Sequence, residues 1–281
     1  MQDIWRHIHF LMPLQDAARA ACVSHAFLSS WRCRPDITIS WKTLGGKDEV
    51  AKDFNSIADQ ILKNRSGIGL KTLKIDFCDY KADTYSYLNN WLEIAITPEL
   101  EELTLDLFPR KAKYSFPCSL LSNGRGNSLR HLKLVWCAFS NTVGLDCLKN
   151  LTSLHLHDVH ITGNELGCLF SSSSALERLE LHGCHKIVRL EIPCLLQRLR
   201  YLGVFVCERL KVIESKAPNI SSFHLSEIQG KFSLGESSLQ LKDMMLSMNC
   251  TISFARAKLP FIVPNLKSLS LASDYEVCIE R

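Results

Sequence analysis

The chain has 281 residues, of which 46% are hydrophobic and 22% are charged, as is typical of a folded protein. Its formal net charge of +4 is too small to predict binding to nucleic acid or to an acidic membrane surface. No stretch of about 20 apolar residues predicts a membrane-spanning helix, and the first residues do not resemble a signal peptide.

Two helices are predicted at the start of the chain, between residue 3 and about residue 33. An apolar stripe at helical spacing marks the first helix. This stripe comprises Ile4, Trp5, Ile8, Leu11 and Met12. Pro13 should end the helix, and Asp16 is the predicted N-cap of the second helix, whose apolar face continues to Trp31. We interpret the pair as a compact helical hairpin, and residues 37–39 follow it as an extended segment.

Residues 46–69 are predicted to connect this hairpin to the rest of the chain. Apolar side chains between Phe54 and Leu62 at helical spacing indicate a helix, which we interpret as an N-terminal cap for the following units. A second helix is predicted within residues 79–99, ahead of Pro98. Later units are shorter, and we expect loops or a single turn in them instead of helices.

One short phrase recurs through the remainder of the chain. Its clearest copy is Leu129-Arg-His-Leu132-Lys-Leu134-Val-Trp-Cys137, and its frame is Leu-x-x-Leu-x-Leu-x-x-Asn/Cys. Nine copies begin at Leu70, Leu100, Leu129, Leu151, Leu176, Leu199, Ile220, Leu241 and Leu266. Their starts lie 21 to 30 residues apart. This frame and period are the signature of a leucine-rich repeat.

The spacing within the phrase has a physical cause. The second and third Leu are two residues apart, so they leave a strand on the same face and point into a shared core. The final Cys or Asn lies where the chain turns away, and it can bond backbone groups that the turn leaves unpaired. The sequence therefore predicts an α/β fold: a solenoid with parallel strands on its concave face, preceded by a small all-α unit. The predicted domains are 1–45, 46–69 and a solenoid of about nine repeats over 70–281.

The chain contains twelve cysteines, and four of them take the final position of the phrase. These four are Cys78, Cys137, Cys184 and Cys207. Because there is no Cys-x-x-Cys pair, we expect no metal and no other cofactor. We interpret the remaining cysteines as buried thiols in a reducing compartment, which predicts a location in the cytoplasm and/or the nucleus.

Residues 3–31 also carry a specific series of short motifs. Asp3-Ile4 is followed by Leu11-Met-Pro-Leu-Gln-Asp-Ala-Ala-Arg19 and then by Val23-Ser-His-Ala-Phe-Leu-Ser-Ser-Trp31. This series resembles the F-box of plant F-box/leucine-rich-repeat proteins. Further likeness, at Tyr87–Ala95, at Ala217-Pro-Asn and at Val263-Pro-Asn-Leu, extends the resemblance over nearly the whole chain.

The resemblance implies a substrate-recognition subunit of an SCF-type ubiquitin ligase. The F-box would dock a Skp-type adaptor and, through it, a cullin, while the solenoid would bind an unknown target protein for ubiquitination. The predicted adaptor-facing residues are Ile4, Ile8, Pro13, Leu14 and Val23. The same apolar stripe could instead be only the internal core of the helices.

One departure from the family pattern concerns the start of the F-box. The family's Leu-Pro pair before the acidic-Ile pair has no counterpart before Asp3-Ile4. Loss of such apolar anchors should weaken adaptor binding. An alternative function is therefore a non-degradative leucine-rich-repeat module that binds proteins and has a degenerate F-box. No nucleic acid and no membrane is expected among the partners.

The strand residues between the core leucines should point out onto the concave face. The predicted target-binding residues on this face are His155, His157, Arg178, Glu180, His182, Tyr201 and Phe205. Since parallel neighbours lie about 4.8 Å apart, His157 should stand beside His182 and His155 beside Glu180.

Three interpretations of this face are open. It could be a solvated polar surface without a fixed ligand. It could be a protein-binding surface anchored by Arg178, Tyr201 and Phe205, because aromatic residues and Arg dominate binding hot spots. It could be a metal or small-ligand site that uses three of the histidines and Glu180. No catalytic motif occurs in the sequence, so we predict a protein that is not an enzyme.

Overall fold

The computed structural model describes residues 2–44, 54–65, 69–76, 85–107, 113–140, 148–227, 230–247 and 251–272. The helices are α1 (Gln2–Leu11), α2 (Leu14–Val23), α3 (His25–Arg32), α4 (Trp41–Leu44), α5 (Phe54–Lys63), α6 (Tyr85–Ala95), α7 (Gly163–Ser172) and α8 (Thr251–Ile262). The strands are β1 (Asp36–Ser40), β2 (Thr72–Asp76), β3 (Glu102–Asp106), β4 (Tyr114–Pro117), β5 (His131–Val135), β6 (Cys137–Ser140), β7 (Ser153–His157), β8 (Arg178–His182), β9 (Arg189–Ile192), β10 (Tyr201–Phe205), β11 (Val212–Ser215), β12 (Ser222–Ser226), β13 (Lys231–Ser233), β14 (Asp243–Ser247) and β15 (Ser268–Ala272). Short 3-10 helices span Cys118–Leu121 and Gly235–Leu239. No helix within the described ranges is long and apolar enough to cross a membrane.

The chain opens with three helices instead of the predicted pair. Helix α1 ends at Leu11, ahead of Pro13, as the sequence predicted. Helix α2 already begins at Leu14, so the prediction of Asp16 as its N-cap is wrong, and Pro13 holds that position. The predicted second helix is interrupted at Ser24, which has extended backbone (φ −148°, ψ 127°). Ser favours such cap positions because its side chain competes for backbone hydrogen bonds inside a helix.

His9 and Arg34 hold the three-helix unit together. The His9 side chain is fully buried, and its Nε2 lies 3.0 Å from the carbonyl oxygen of Ala17 in α2. The Arg34 guanidinium donates to the carbonyl oxygens of Phe10 and Met12, at 3.0 and 2.9 Å. These carbonyls lie at the C-terminal end of α1, where helical partners are missing. Arg34 therefore ties the end of α1 to the segment that leads into β1.

Ten parallel strands form the main sheet. Their order is β1-β2-β3-β5-β7-β8-β10-β12-β14-β15. Each of the nine predicted phrases supplies one of these strands, from β2 to β15. The remaining strand, β1, pairs in parallel with β2 and is the segment that was predicted only as extended. This topology confirms the predicted α/β solenoid behind small N-terminal helices.

The strand burial follows the predicted alternation. In β5, Leu132 and Leu134 are 1% and 0% exposed, whereas the alternating residues His131 and Lys133 are exposed. The strands pair in register, so each buried Leu lies beside the equivalent Leu of the next repeat, such as Leu132 beside Leu154. Neighbouring repeats thus bury together the apolar face that a single repeat would leave open to water.

The convex side contains helices in some units and short strands in others. Helices α7 and α8 lie in the two units that are 25 residues long, which corrects the expectation of loops or single turns there. Units of 21 to 23 residues contain β6, β9, β11 or β13 instead. A helix rises about 1.5 Å per residue and a strand about 3.3 Å. The ten residues of α7 and the four of β9 therefore cover similar lengths, roughly 15 and 13 Å.

The cysteines that end the phrases within the described residues are buried, and two of them contact backbone carbonyl oxygens. Cys137, Cys184 and Cys207 are fully buried. The Cys184 thiol lies 3.5 Å from the carbonyl oxygen of His182, and that of Cys207 lies 3.4 Å from that of Phe205. Burial raises the pKa of Cys137 to about 12 and that of Cys207 to about 11, so these thiols are protonated at neutral pH. The equivalent positions at Cys78, Phe108, Ile228, Asn249 and Asp274 lie outside the described residues.

The interpretation of the other cysteines as buried is wrong for three of them. Cys22, Cys168 and Cys194 are exposed, while Cys118 is buried. A helix buries only one face. In α7 that face carries Leu166, Leu169 and Phe170, and Cys168 falls between them on the solvent side.

Candidate functional site

The concave surface of the main sheet carries an open groove of about 510 Å³ across β3, β5, β7 and β8. We call it the central groove. Its lining residues are Glu102, Thr104, His131, Leu132, Lys133, Ser153, His155, Leu156, His157, Glu180 and His182. The outward positions of in-register strands form rows, so the sequence alternation alone brings four histidines to this groove.

His157 and His182 stand side by side, as the register predicted. Their ring centroids are 4.1 Å apart, with the ring planes inclined by 57°. Phe205 continues the row, and its ring centroid lies 6.2 Å from that of His182. Burial and the neighbouring His157 lower the pKa of His182. Its Nδ1 is buried and has no hydrogen-bond partner within the part of the chain that the structure describes.

His155 and Glu180 also lie side by side, as predicted, and both have partners on the face. The Nδ1 of His155 lies 3.6 Å from a carboxylate oxygen of Glu180, and its Nε2 lies 2.8 Å from the Ser153 hydroxyl. Arg178 donates to the same oxygen of Glu180 at 2.8 Å. Burial lowers the pKa of His155, although Glu180 acts in the opposite direction. These contacts hold the two side chains in fixed positions.

A second polar chain of contacts begins at Arg178 and runs toward β14. The Arg178 guanidinium lies over the Tyr201 ring, 3.6 Å from its centroid, in a cation–π arrangement. The Tyr201 hydroxyl is 3.2 Å from Nδ1 of His224, and Nε2 of His224 is 2.7 Å from a carboxylate oxygen of Asp243. Ser222 donates to that oxygen at 2.8 Å, and the hydrogen bonds from His224 and Ser222 lower the pKa of Asp243. The face thus presents the Arg178 guanidinium on the Tyr201 ring, and the carboxylate of Asp243 is held in place by hydrogen bonds at the far end of the chain of contacts.

Gly203 leaves room for the two aromatic side chains of β10. A Cβ at Gly203 would lie 2.7 Å from the Phe205 ring and 2.9 Å from the Tyr201 hydroxyl. Both side chains therefore occupy the space above the glycine, one from each side.

All seven predicted target-binding residues are on the concave face. Their contacts join them into two neighbouring groups. One is the row of His157, His182 and Phe205, and the other is the polar chain of contacts at Arg178.

Charged residues on the other side of the central groove are paired across strands. Lys74 lies 2.9 Å from Glu102, and Lys133 lies 3.9 Å from Asp106. Burial raises the pKa of Asp106, whereas Lys133 lowers it. Since acidic and basic groups alternate, the groove has no strong net charge of either sign. This pattern suits a polar protein surface better than a polyanion.

Three further side chains of the face were not among the predicted target-binding residues. His224 and Asp243 occupy outward positions of the phrases that begin at Ile220 and Leu241, so the strand register was a signal for both. Asp158 follows β7 in a left-handed conformation (φ 51°), which no spacing rule indicates. Its carboxylate lies 3.1 Å from Nε2 of His157. His157, Asp158 and His182 together offer three ligand atoms within 4.8 Å of one another.

The three N-terminal helices expose an apolar surface. Of the predicted adaptor-facing residues, Ile4, Ile8 and Val23 are 63%, 42% and 84% exposed, and Pro13 is also exposed. Leu14 is the exception, because it is 8% exposed and lines a gap between α3, β1 and α5 inside the molecule. Sequence reasoning did not select Trp5 and Leu11, which are 48% and 74% exposed. We call Ile4, Trp5, Ile8, Leu11, Pro13 and Val23 the N-terminal apolar surface.

Comparison with known proteins gives matches over most of the chain. Residues 61–280 match the family model described as At1g61320/AtMIF1, LRR domain. The chain is 26% identical to "Putative FBD-associated F-box protein At5g53635" of Arabidopsis thaliana over 233 residues, 79% of this chain and 52% of that protein. It is 24% identical to "F-box/FBD/LRR-repeat protein At3g52680" of Arabidopsis thaliana over 200 residues, 67% of this chain and 41% of that protein. The chain thus spans about half the length of these relatives or less.

Proposed function

The chain belongs to the plant F-box/leucine-rich-repeat family, with a leucine-rich-repeat domain of the At1g61320/AtMIF1 type, and from this premise we propose that it recruits a target protein to an SCF-type ubiquitin ligase. In this proposal the helices of the predicted 1–45 domain dock a Skp-type adaptor and, through it, a cullin. The predicted 70–281 solenoid binds the target, and residues 46–69 connect the two. The protein acts in the cytoplasm and/or the nucleus.

The observation that carries the adaptor half is the N-terminal apolar surface. Ile4 and Ile8 are four residues apart on α1, so they share one face of the helix, and both are exposed. A surface of this kind suits a helix-in-groove interface, in which apolar side chains at helical spacing enter a groove of the partner. If the stripe were only an internal core, its members would be buried, as His9 and Ala17 are.

The target half rests on the concave face. Contacts within the face already hold Arg178 and Tyr201 in place. Binding a target would therefore cost little additional side-chain conformational entropy. Arg and Tyr are enriched among the residues that dominate protein–protein affinity. The protein would perform no bond chemistry itself. It would raise the effective concentration of a target lysine near a charged conjugating enzyme.

The test is a binding assay between the chain and a plant Skp-type adaptor. One variant carries Ile4→Asp and Val23→Asp, and the matched control carries Val188→Asp, which changes a 50% exposed valine on the solenoid. Each lost apolar contact of this size is worth about 1.5–3 kcal/mol, so the double variant should bind more than tenfold more weakly. Leu14 stays unchanged because an Asp at this buried position would disturb the fold itself.

The outcomes separate the proposal from its alternative. Micromolar or tighter binding that the double variant loses and the control keeps supports the ligase subunit. Binding only after a Leu-Pro pair is placed before Asp3 supports the non-degradative module with a degenerate F-box. Equal binding by the double variant and the control would refute the role of the N-terminal apolar surface.

A further inference from the structure

We propose that His157, Asp158 and His182 form a binding site for one divalent transition-metal ion of the zinc type. The site lies at the edge of the central groove, on β7, on the turn after it and on β8. It is independent of adaptor docking by the N-terminal helices, because none of its residues belongs to them. Zinc binds imidazole nitrogen and carboxylate oxygen, and three protein ligands leave one position of a tetrahedral ion open.

The distances between the donor atoms fit one ion. Ligand atoms that lie roughly 2.0–2.2 Å from a tetrahedral zinc ion are about 3.3–3.5 Å from one another. The Nε2 of His157 and the carboxylate of Asp158 are 3.1 Å apart. All three donor groups lie within 4.8 Å of one another. Small side-chain rotations therefore suffice to bring them around a common centre.

The backbone holds the Asp158 carboxylate in this place. Asp158 has a left-handed conformation (φ 51°), and its N–H donates to the carbonyl oxygen of His182 at 2.8 Å. The Lys113 ammonium donates to its carbonyl oxygen. A Cβ at Gly183 would collide with the carboxylate, so the absence of a side chain at Gly183 makes room for this ligand.

His182 distinguishes this cluster from an ordinary His–Asp hydrogen bond. A His157–Asp158 hydrogen bond alone would not need a second imidazole 4.1 Å away. The Nδ1 of His182 is buried and has no hydrogen-bond partner among the described residues. Buried polar atoms normally have a hydrogen-bond partner, so a buried nitrogen without one calls for an explanation. Strand register places the two imidazoles side by side, and a metal ion bound between them would give the second ring a ligand.

The structure favours this set over the four residues that the sequence suggested. His155 is bonded to Ser153 and lies beside Glu180, and Glu180 is bonded to Arg178. An ion at those two residues would have to displace a guanidinium. Lys113 lies near Asp158, but its ammonium donates to the backbone carbonyl oxygen of Asp158, and the contact described for the carboxylate is with His157. An ion at Asp158 therefore displaces no guanidinium.

Calorimetric titration of the full chain with Zn²⁺ at pH 7.5 tests the proposal. The exposed thiols of Cys22, Cys168 and Cys194 are alkylated first, because they could bind zinc independently. Asp158→Asn is the informative variant, since Asn tolerates the left-handed conformation and keeps the shape of Asp. His131→Gln is the control, a histidine of the same groove outside the set. Circular dichroism verifies the fold of each variant.

We expect one zinc ion per chain. Because even partners outside the ligand set change metal affinity by roughly 10–100-fold, Asp158→Asn and His157→Gln should weaken binding at least that much. His131→Gln should bind like the unchanged chain. Absence of stoichiometric binding, or binding that Asp158→Asn and His157→Gln leave unchanged, would overturn the proposal and leave adaptor docking unaffected.

Discussion

At the scale of single residues, the histidines of this chain lie in contrasting environments. His9 is fully buried among the N-terminal helices and stacks on Phe27, with 5.5 Å between ring centroids. His157 and His182 form a ring pair on the concave face. His224 bridges a tyrosine hydroxyl and a carboxylate. Burial lowers the pKa of His9, which couples its protonation to folding.

The chain should lose stability at acidic pH through His9. Burial lowers the pKa of His9 below its usual 6.5. Just below pH 6.5 the unfolded chain therefore binds a proton that the folded chain does not, and the free energy of unfolding rises with pH until about 6.5. In His9→Gln, which keeps an N–H donor for Ala17, the loss of stability between pH 7.5 and pH 5 should be smaller. Urea unfolding at the two pH values measures it.

His25→Gln is the matched control, because His25 is exposed at the start of α3. It should show the same pH dependence as the unchanged chain. If His9→Gln loses as much stability at pH 5 as the unchanged chain does, the buried histidine is not a source of the dependence.

The sequence predicted which strand residues point outward, but it did not predict every side chain that contacts them. The pairing of His157 with His182 followed from repeat register alone, because in-register strands repeat every position. Asp158 could not be found this way, since a single left-handed residue leaves no periodic signal. Leu14 belonged to the right helical unit, but its burial depends on the tertiary packing of α2, since it faces a gap lined by residues of α3, β1 and α5.

At the scale of elements, the two glycines of α7 differ in how much room their surroundings leave for a side chain. Gly163 begins the helix, and a Cβ there would collide with the carbonyl oxygen of Arg189 in β9. Gly167 lies inside the helix with nothing within 4 Å of its Cβ position. The N-cap Thr162 and Glu165 form a capping box that fixes where the helix starts. The first glycine is thus required by packing, while the second is not.

Opposite effects are expected from alanine at the two positions. Gly163→Ala should destabilise the chain by about 1–3 kcal/mol, because backbone must move to relieve the contact. Gly167→Ala should stabilise it by about 0.5–1 kcal/mol, because Ala loses less backbone entropy than Gly in a helix. Urea unfolding of both variants measures the two effects. A stabilising Gly163→Ala would show that the backbone of β9 yields easily.

The convex elements were the least predictable part of the fold. Helix α6 was indicated by its apolar spacing, and the structure has it at Tyr85–Ala95. Helices α7 and α8 were not expected, because their units are shorter than the unit that contains α6. Unit length is only a partial signal: the 25-residue units contain α7 and α8, whereas the 29-residue unit that begins at Leu100 contains β4 and a 3-10 helix.

At the scale of the whole molecule, stability should vary along the solenoid. A repeat contacts only its neighbours, so a central Leu loses contacts on both sides and an end Leu on one. Leu179 in β8 is 0% exposed, whereas Leu269 in the terminal described strand β15 is 43% exposed. Leu179→Ala should therefore cost about 2–5 kcal/mol and Leu269→Ala less than about 1 kcal/mol. Equal losses in urea unfolding would contradict nearest-neighbour stabilisation.

We expect the solenoid to be nearly straight where strands pair on its convex side as well as on its concave side. In three consecutive units, β8, β10 and β12 pair on the concave side while β9, β11 and β13 pair on the convex side. Hydrogen-bonded strands are about 4.8 Å apart on either side, so these units have equal inner and outer widths and add almost no bend. A helix is about 10 Å wide, so units with α7 or α8 are wider outside and curve the arc. We therefore expect Arg178, Tyr201 and Phe205 to lie on a nearly flat segment, so the target proposed above should present a flat or extended surface to them and not a convex one.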